Sequence, residues 1–212
     1  MSETFEIRAM GDQGVLIELK DNVAVHAVAA AARERFGDRL TEIVPGHRTL
    51  LLVTPVERAR PDFSQLASVA AAACGAVRDD PAGQPNASVI TIPVRYDGED
   101  LAAVAQALEV DRERVIELHC QAVYTVAFMG FAPGFPYLVG LAAELELPRR
   151  HVPRLEVPAG SVAVAAAYCG IYPRASPGGW NLFGRTDVTL FDPGRDRPAL
   201  LAPGDRVRFE PA

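Results

Sequence analysis

The sequence predicts a small α+β domain over residues 1–86, followed by a mainly β domain over residues 87–212. Three observations carry that prediction. In the first third of the chain, alanine-rich stretches with apolar residues at helical spacing lie between short alternating runs. From residue 124 onward, short β-rich runs alternate with proline and glycine turns, as in a barrel or sandwich. Between the halves lies Arg78-Asp79-Asp80-Pro81-Ala82-Gly83-Gln84-Pro85-Asn86, polar and without periodicity, which reads as a linker and sets a boundary near residue 87.

Taken in order, residues 5–19 alternate loosely around Gly11-Asp12-Gln13-Gly14 and predict two short strands joined by a turn. Residues 23–36 predict a helix, with Asp21 or Asn22 to cap its start and Gly37 to end it. Residues 40–44 and 49–53 read as strands around Pro45-Gly46, and residues 63–74 as a second helix stopped by Gly75. The result is a small sheet with two helices on one face. Beyond the linker, 89–94 is a strand, and 100–108 and 111–119 are helices, the latter opening on Asp111 as a cap. Further β runs fall at Val157, 161–167, 188–191 and 206–209.

Composition bounds the function. About half the residues are hydrophobic (49%) and 23% are charged, which describes a folded globular protein rather than a disordered one. The net charge of -6 has the wrong sign for a general nucleic-acid binder or a protein that binds anionic membranes. No apolar run approaches the length of a membrane span, and Ser2-Glu3-Thr4-Phe5-Glu6 is acidic where a signal peptide is basic, so a cytoplasmic location is expected. Cys74, Cys120 and Cys169 are odd in number, far apart and without Cys-x-x-Cys spacing; reduced, mostly packed thiols are expected.

Neither a Gly-x-x-x-x-Gly-Lys-Ser/Thr loop nor a Gly-x-Gly-x-x-Gly fingerprint after a strand occurs, which excludes the standard nucleotide folds. His26, His47, His119 and His151 are scattered, and no metal site is expected from this chain alone. Ser161 follows Gly160 without the flanks of a nucleophile elbow and reads first as a turn residue. His119 closes a helix, where the dipole favours an imidazolium; a capping and a catalytic role are both open. Lys20 is the sole lysine, so arginine carries almost all positive charge. Arg149, Arg150 and Arg154 sit in a proline-bounded segment, with Arg185 later, and guanidinium groups on stiff backbone suit bidentate grip of carboxylate or phosphate.

The most informative stretch runs from residue 124 to 180. In Gly130-Phe131-Ala132-Pro133-Gly134-Phe135-Pro136-Tyr137, glycine or proline recurs at every second or third position with aromatics between. Neither a helix nor a central strand continues through that pattern, so it reads as a built loop that presents a fixed surface. Trp180, after Pro177-Gly178-Gly179, reads as a core aromatic or a stacking platform.

Several ordered motifs then point to one family. They are the run 124–141, Pro148-Arg149-Arg150, Pro153-Arg154, Val157-Pro158-Ala159-Gly160-Ser161, Gly170-Ile171-Tyr172-Pro173, Ser176-Pro177-Gly178-Gly179-Trp180, Gly184-Arg185-Thr186 and Pro203-Gly204-Asp205-Arg206-Val207. Upstream, Gly11-Asp12, Ile43-Val44-Pro45, Ile92-Pro93-Val94 with Tyr96, and Glu117-Leu118-His119 fit as well. Together they resemble the B subunit of bacterial 5-oxoprolinase, a carboxyltransferase subdomain C/D-like family also labelled allophanate hydrolase subunit 1 and KipI-type sensor-kinase inhibitor.

The resemblance implies a cyclophilin-like barrel for residues 87–212. It implies work with a larger partner, the C subunit, and with a separate A subunit, to open the lactam of 5-oxo-L-proline to L-glutamate. The cofactor implied is ATP with Mg2+, at a site shared with or lying in the partner. An alternative implied by the names is inhibition of a sensor histidine kinase, or membership of a related urea or allophanate-type amide enzyme. Carried over by position, His119 and Arg150 are the implied catalytic groups, and Arg149, Arg154, Ser161 and Arg185 the implied substrate or phosphate ligands. Gly130, Phe131, Pro133, Gly134, Phe135, Pro136, Pro177, Gly178, Gly179 and Trp180 are the implied pocket or partner loops. The sequence departs from the family at Ala166, where members commonly carry glycine, and at Tyr168-Cys169, where they carry a glutamine-threonine-like pair.

Overall fold

The computed structural model describes residues 5–58, 62–79 and 89–212. The expected linker at 78–86 falls mostly outside the described residues. Two compact units emerge, Met1–Asn86 and Ala87–Ala212.

The first unit holds β1 (Glu6–Met10), β2 (Gly14–Glu18), α1 (Asn22–Phe36), β3 (Glu42–Pro45), β4 (Thr49–Val53) and α2 (Phe63–Asp79). Its sheet is antiparallel in the order β1-β2-β4-β3. Val15, Ile17, Leu50 and Leu52 alternate onto one face of the sheet and share a core with Val25, Val28, Phe36 and Leu66 from the helices. Asp21 caps α1 by accepting from the Ala24 amide at 2.8 Å, worth about 1 kcal/mol. Gly37 follows it at φ 47°, a conformation open to glycine. Helix α2 runs on past Gly75 to Asp79, contrary to the expected stop, because one glycine lowers helix propensity without breaking the hydrogen-bond ladder.

The second unit contains β5 (Val89–Val94), α3 (Leu101–Ala107), α4 (Arg112–Gln121), β6 (Tyr124–Met129), β7 (Pro136–Val139), β8 (Arg154–Val157), β9 (Ser161–Ala165), β10 (Tyr168–Ile171), β11 (Ser176–Gly178), β12 (Asn181–Arg185) and β13 (Arg206–Pro211). Seven of these strands form one mixed sheet in the order β12-β9-β10-β7-β6-β13-β5. Its two edge strands meet at the far side. The amides of Arg95 and Arg185 donate to each other's carbonyls at 2.8 and 2.9 Å, so the sheet is nearly closed and barrel-like. Residues 188–191 do not form the expected strand; Phe191 keeps only an isolated bridge to Ala199. The expected single run 161–167 is a hairpin of β9 and β10 that turns at Ala166, whose φ is 49°.

Both faces of this sheet are covered, which is why every residue of β9 is buried. On the core face Tyr124, Val126, Leu138, Val162, Val164, Ile171, Phe183 and Phe209 pack with Leu101, Val104, Val115 and Leu118 of α3 and α4. On the opposite face Ala163, Ala165, Tyr172 and Leu182 pack with Phe135, Val157 and Trp180. That second layer is closed over by the ribbon of β8 and β11, a two-stranded pair that tolerates Pro177 because it is an edge.

Candidate functional site

The second face is an aromatic wall, built on small residues. A side chain at Gly170 would come within 2.9 Å of Phe135 and Trp180, so glycine is what lets those rings lie on the sheet. Phe135 meets Tyr172, Trp180 and Tyr137 edge-on or tilted at 5.1, 5.5 and 5.2 Å, and Phe128 stacks on Tyr137 at 4.4 Å. Such contacts add about 0.5–1.5 kcal/mol per pair beyond area burial. Trp180 is therefore a core residue rather than an exposed platform.

The loop of 130–135 joins β6 to β7, as its glycines and prolines predict. Gly134 takes φ 81°, and a side chain there would come within 3.2 Å of the Leu190 carbonyl. Phe135 goes down into the wall, whereas Phe131 stands 60% exposed at φ 64° with its ring against Phe135 and Tyr172.

Beside this wall the arginines converge on one acidic loop, residues 97–100. The Asp100 side chain is only 6% exposed. Its Oδ1 accepts from Arg150 Nη1 and, at 2.9 Å, from Arg154 Nη2, while its Oδ2 accepts from the Leu182 amide at 2.8 Å. Arg154, 16% exposed, also donates to Glu99 at 3.1 and 3.2 Å, and these two carboxylates hold its guanidinium more firmly charged than usual. Arg185 pairs with Asp97 at 2.9 Å. Arg150 remains 37% exposed, and Arg149 is exposed and makes no ion pair with any described residue. Three guanidiniums (Arg149, Arg150, Arg154) thus stand against two carboxylates (Glu99, Asp100). Arg154 and Arg185 are engaged within the chain; Arg149 and the outer side of Arg150 can face an external anion.

The segment is pinned by its backbone as well. The Arg150 amide donates to the Gly179 carbonyl at 2.8 Å, and Asn181 Nδ2 donates to the Pro148 carbonyl at 3.0 Å. The Tyr172 hydroxyl packs against Gly178, so Pro177, Gly178 and Gly179 shape the wall from behind. Burial is the main cause that raises the Tyr172 phenol above its ordinary range.

His119 lies elsewhere. It is completely buried on the core face, with its ring 4.6 Å from Phe209 and 5.5 Å from Phe183 and Tyr124. Its Nδ1 shares a hydrogen bond with the Tyr96 hydroxyl at 2.7 Å, and its Nε2 lies 3.3 Å from Cys169 Sγ. Desolvation lowers its pKa to about 3. The imidazolium expected from the helix dipole is therefore corrected to a neutral ring, because burial outweighs a fraction of a charge at a helix end. A sealed neutral ring does not contact an anion at the surface. Ser161 is likewise enclosed; its amide donates to Pro158 at 3.3 Å and its carbonyl accepts from Tyr172 at 2.9 Å, the bonds of a turn residue.

The sequence does not single out Asp100, Glu99 or Tyr96 as site residues. Asp100 reads as the start of a helix, but its side chain makes no bond to the α3 N-terminus and serves instead the distant Arg150, Arg154 and Leu182. The signal available is the alternating Arg95, Asp97, Glu99, Asp100 run facing an arginine-rich chain with one lysine. Among the described residues no helix is long and apolar enough to cross a membrane.

The family model of the carboxyltransferase domain, subdomain C and D, matches residues 5–201. The chain is 33% identical to the 5-oxoprolinase B subunit of Bacillus subtilis (strain 168) over 234 aligned positions, which take in 99% of this chain and 93% of that protein. It is 52% identical over 131 residues to the 5-oxoprolinase B subunit of Escherichia coli O157:H7, covering 60% of each. The crystal structure of TTHA0988 superposes with a TM-score of 0.77 at 38% identity, over 94% of this chain and 40% of that one. This chain thus spans about two fifths of the length of TTHA0988.

Proposed function

We infer the function from a settled premise: this chain belongs to the carboxyltransferase domain family, subdomain C and D, and to the proteins named as the B subunit of 5-oxoprolinase. On that premise we propose that it is one component of an ATP-dependent enzyme that hydrolyses the lactam of 5-oxo-L-proline to L-glutamate, acting with the C and A subunits. The observation that carries this reading is the kinship with the Bacillus subtilis protein, which runs almost from end to end of both chains. The geometry supports a shared enzyme rather than a solitary one. On the aromatic side Arg149 and the outer side of Arg150 are accessible, and guanidiniums stabilise negative charge but neither attack a carbonyl nor remove a proton at neutral pH.

The sequence has no phosphate loop, and ATP with Mg2+ is assigned in this reading to a site shared with or lying in the partner. This chain's part is to offer the outer side of Arg150 to the carboxylate of the substrate or to the oxyanion that develops on the opening lactam. The cyclophilin-like character of the barrel belongs to the same proposal.

The test is reconstitution. ATP hydrolysis dependent on 5-oxoproline is measured with all components present and with each left out in turn. Loss of the coupled rate when this chain is omitted is the expected result, and an unchanged rate would rule the reading out.

A further inference from the structure

We propose that the Phe131 ring and the arginines beside it are the docking surface for a second polypeptide, the separate counterpart of the part of TTHA0988 that this chain does not span. The inference rests on the shared-enzyme reading above and adds where the sharing takes place.

Phe131 departs from ordinary surface chemistry in two ways at once, as an exposed aromatic residue and as a non-glycine residue at positive φ. A phenylalanine in the left-handed region costs of order 1 kcal/mol in strain, where glycine or asparagine would sit freely. The loop that bears it is nonetheless fixed. The Gly130 amide donates to the Phe135 carbonyl at 3.2 Å, the Ala132 amide to Gly130 at 2.6 Å, and the Phe135 amide to Ala132 at 3.0 Å. Rigid backbone thus holds a large apolar ring in water. That is the character of an interface anchor, since little ordering entropy is lost when such a ring is covered. A residue 60% exposed offers a convex apolar surface that another molecule's pocket can cover, not the concave floor that a small ligand requires.

The rim defines the partner's chemistry. Phe131 contacts Tyr172, Tyr172 packs on Gly178, and the adjacent Gly179 accepts from the amide of Arg150, so ring and arginine segment border one surface. Glu99 and Asp100 are already engaged by Arg150 and Arg154, and Arg149 makes no ion pair with any described residue. The matching surface is an apolar pocket edged by Asp or Glu side chains. TTHA0988 gives 40% of its length to this fold, so in that chain the module is joined to a larger body that can carry such a pocket.

The test co-expresses this chain with the protein equivalent to the remainder of TTHA0988 and measures their association by sedimentation and calorimetry. Phe131→Asn removes the ring yet supplies a residue at home in the left-handed region, so the thermal midpoint should hold or rise while association weakens by about 30-fold or more. Arg149→Glu should weaken association several-fold, with the difference shrinking at about 0.5 M salt. Wild-type affinity in Phe131→Asn overturns the proposal. Unchanged affinity with a raised KM for 5-oxoproline also overturns it, giving the ring to substrate while the proposed function stands. Failure of the unaltered chain to associate at all removes the shared-enzyme reading and the docking surface together.

Discussion

The two faces of the seven-stranded sheet handle polar groups in opposite ways. On the core face His119 is sealed, neutral and satisfied by Tyr96, with Cys169 beside it. On the aromatic face charge is retained: Asp100 is buried, but the arginines it holds reach the surface, and Phe131 stands exposed against Phe135 and Tyr172 of the wall. Burial has removed the charge where no carboxylate faces the ring, and ion pairing has preserved it where Glu99 and Asp100 face the arginines. The difference separates a sealed side chain from side chains that reach the surface, although both are candidates on sequence grounds.

The largest expected effect breaks the comparison on the core face. A depressed histidine pKa means that stability is fully present above the unfolded value near 6.5 and is lost as pH falls toward about 3, because only the unfolded chain takes up the proton. Denaturant titrations should therefore show the stability gap between wild type and His119→Gln narrowing by about 1.4 kcal/mol per pH unit across that window. A gap constant with pH would mean that the ring can be charged inside the fold.

On the aromatic face, Asp100→Asn removes the charge that two arginines share and unsettles the bond to Leu182. A loss of about 2–3 kcal/mol is expected, below the 3–5 of a fully sealed pair because Arg150 is partly solvated. Gly170→Ala should cost about 1–3 kcal/mol by displacing Phe135 and Trp180, visible as a lower thermal midpoint. The smallest effect has the opposite sign: Ala166→Gly relieves a left-handed alanine and should stabilise by about 0.5–1 kcal/mol.

Much of this was legible in the sequence where the cause is local. Asp21 and Gly37 bound α1 as their capping chemistry predicts, and the glycines and prolines of 130–136 mark the loop between β6 and β7. Ala166 is the exception, since 161–167 reads as one β run whereas the turn between β9 and β10 places an alanine at a backbone angle that glycine adopts most readily. What was not legible depends on residues far apart. Asp100 serves partners 50 to 82 positions away, and His119 is neutralised by rings from β6, β12 and β13 that a helix-dipole argument never meets. Gly75 misled because a glycine punctuates a helix only where the surrounding packing allows it to end.

The central claim is that the aromatic face, with its arginine rim, is completed by another polypeptide. Amide hydrogen exchange of this chain, alone and with that partner, tests it most directly. The account predicts new protection concentrated in residues 130–135 and 148–154, with the amides around His119 unchanged. Protection that leaves both segments as they were and appears elsewhere would contradict it.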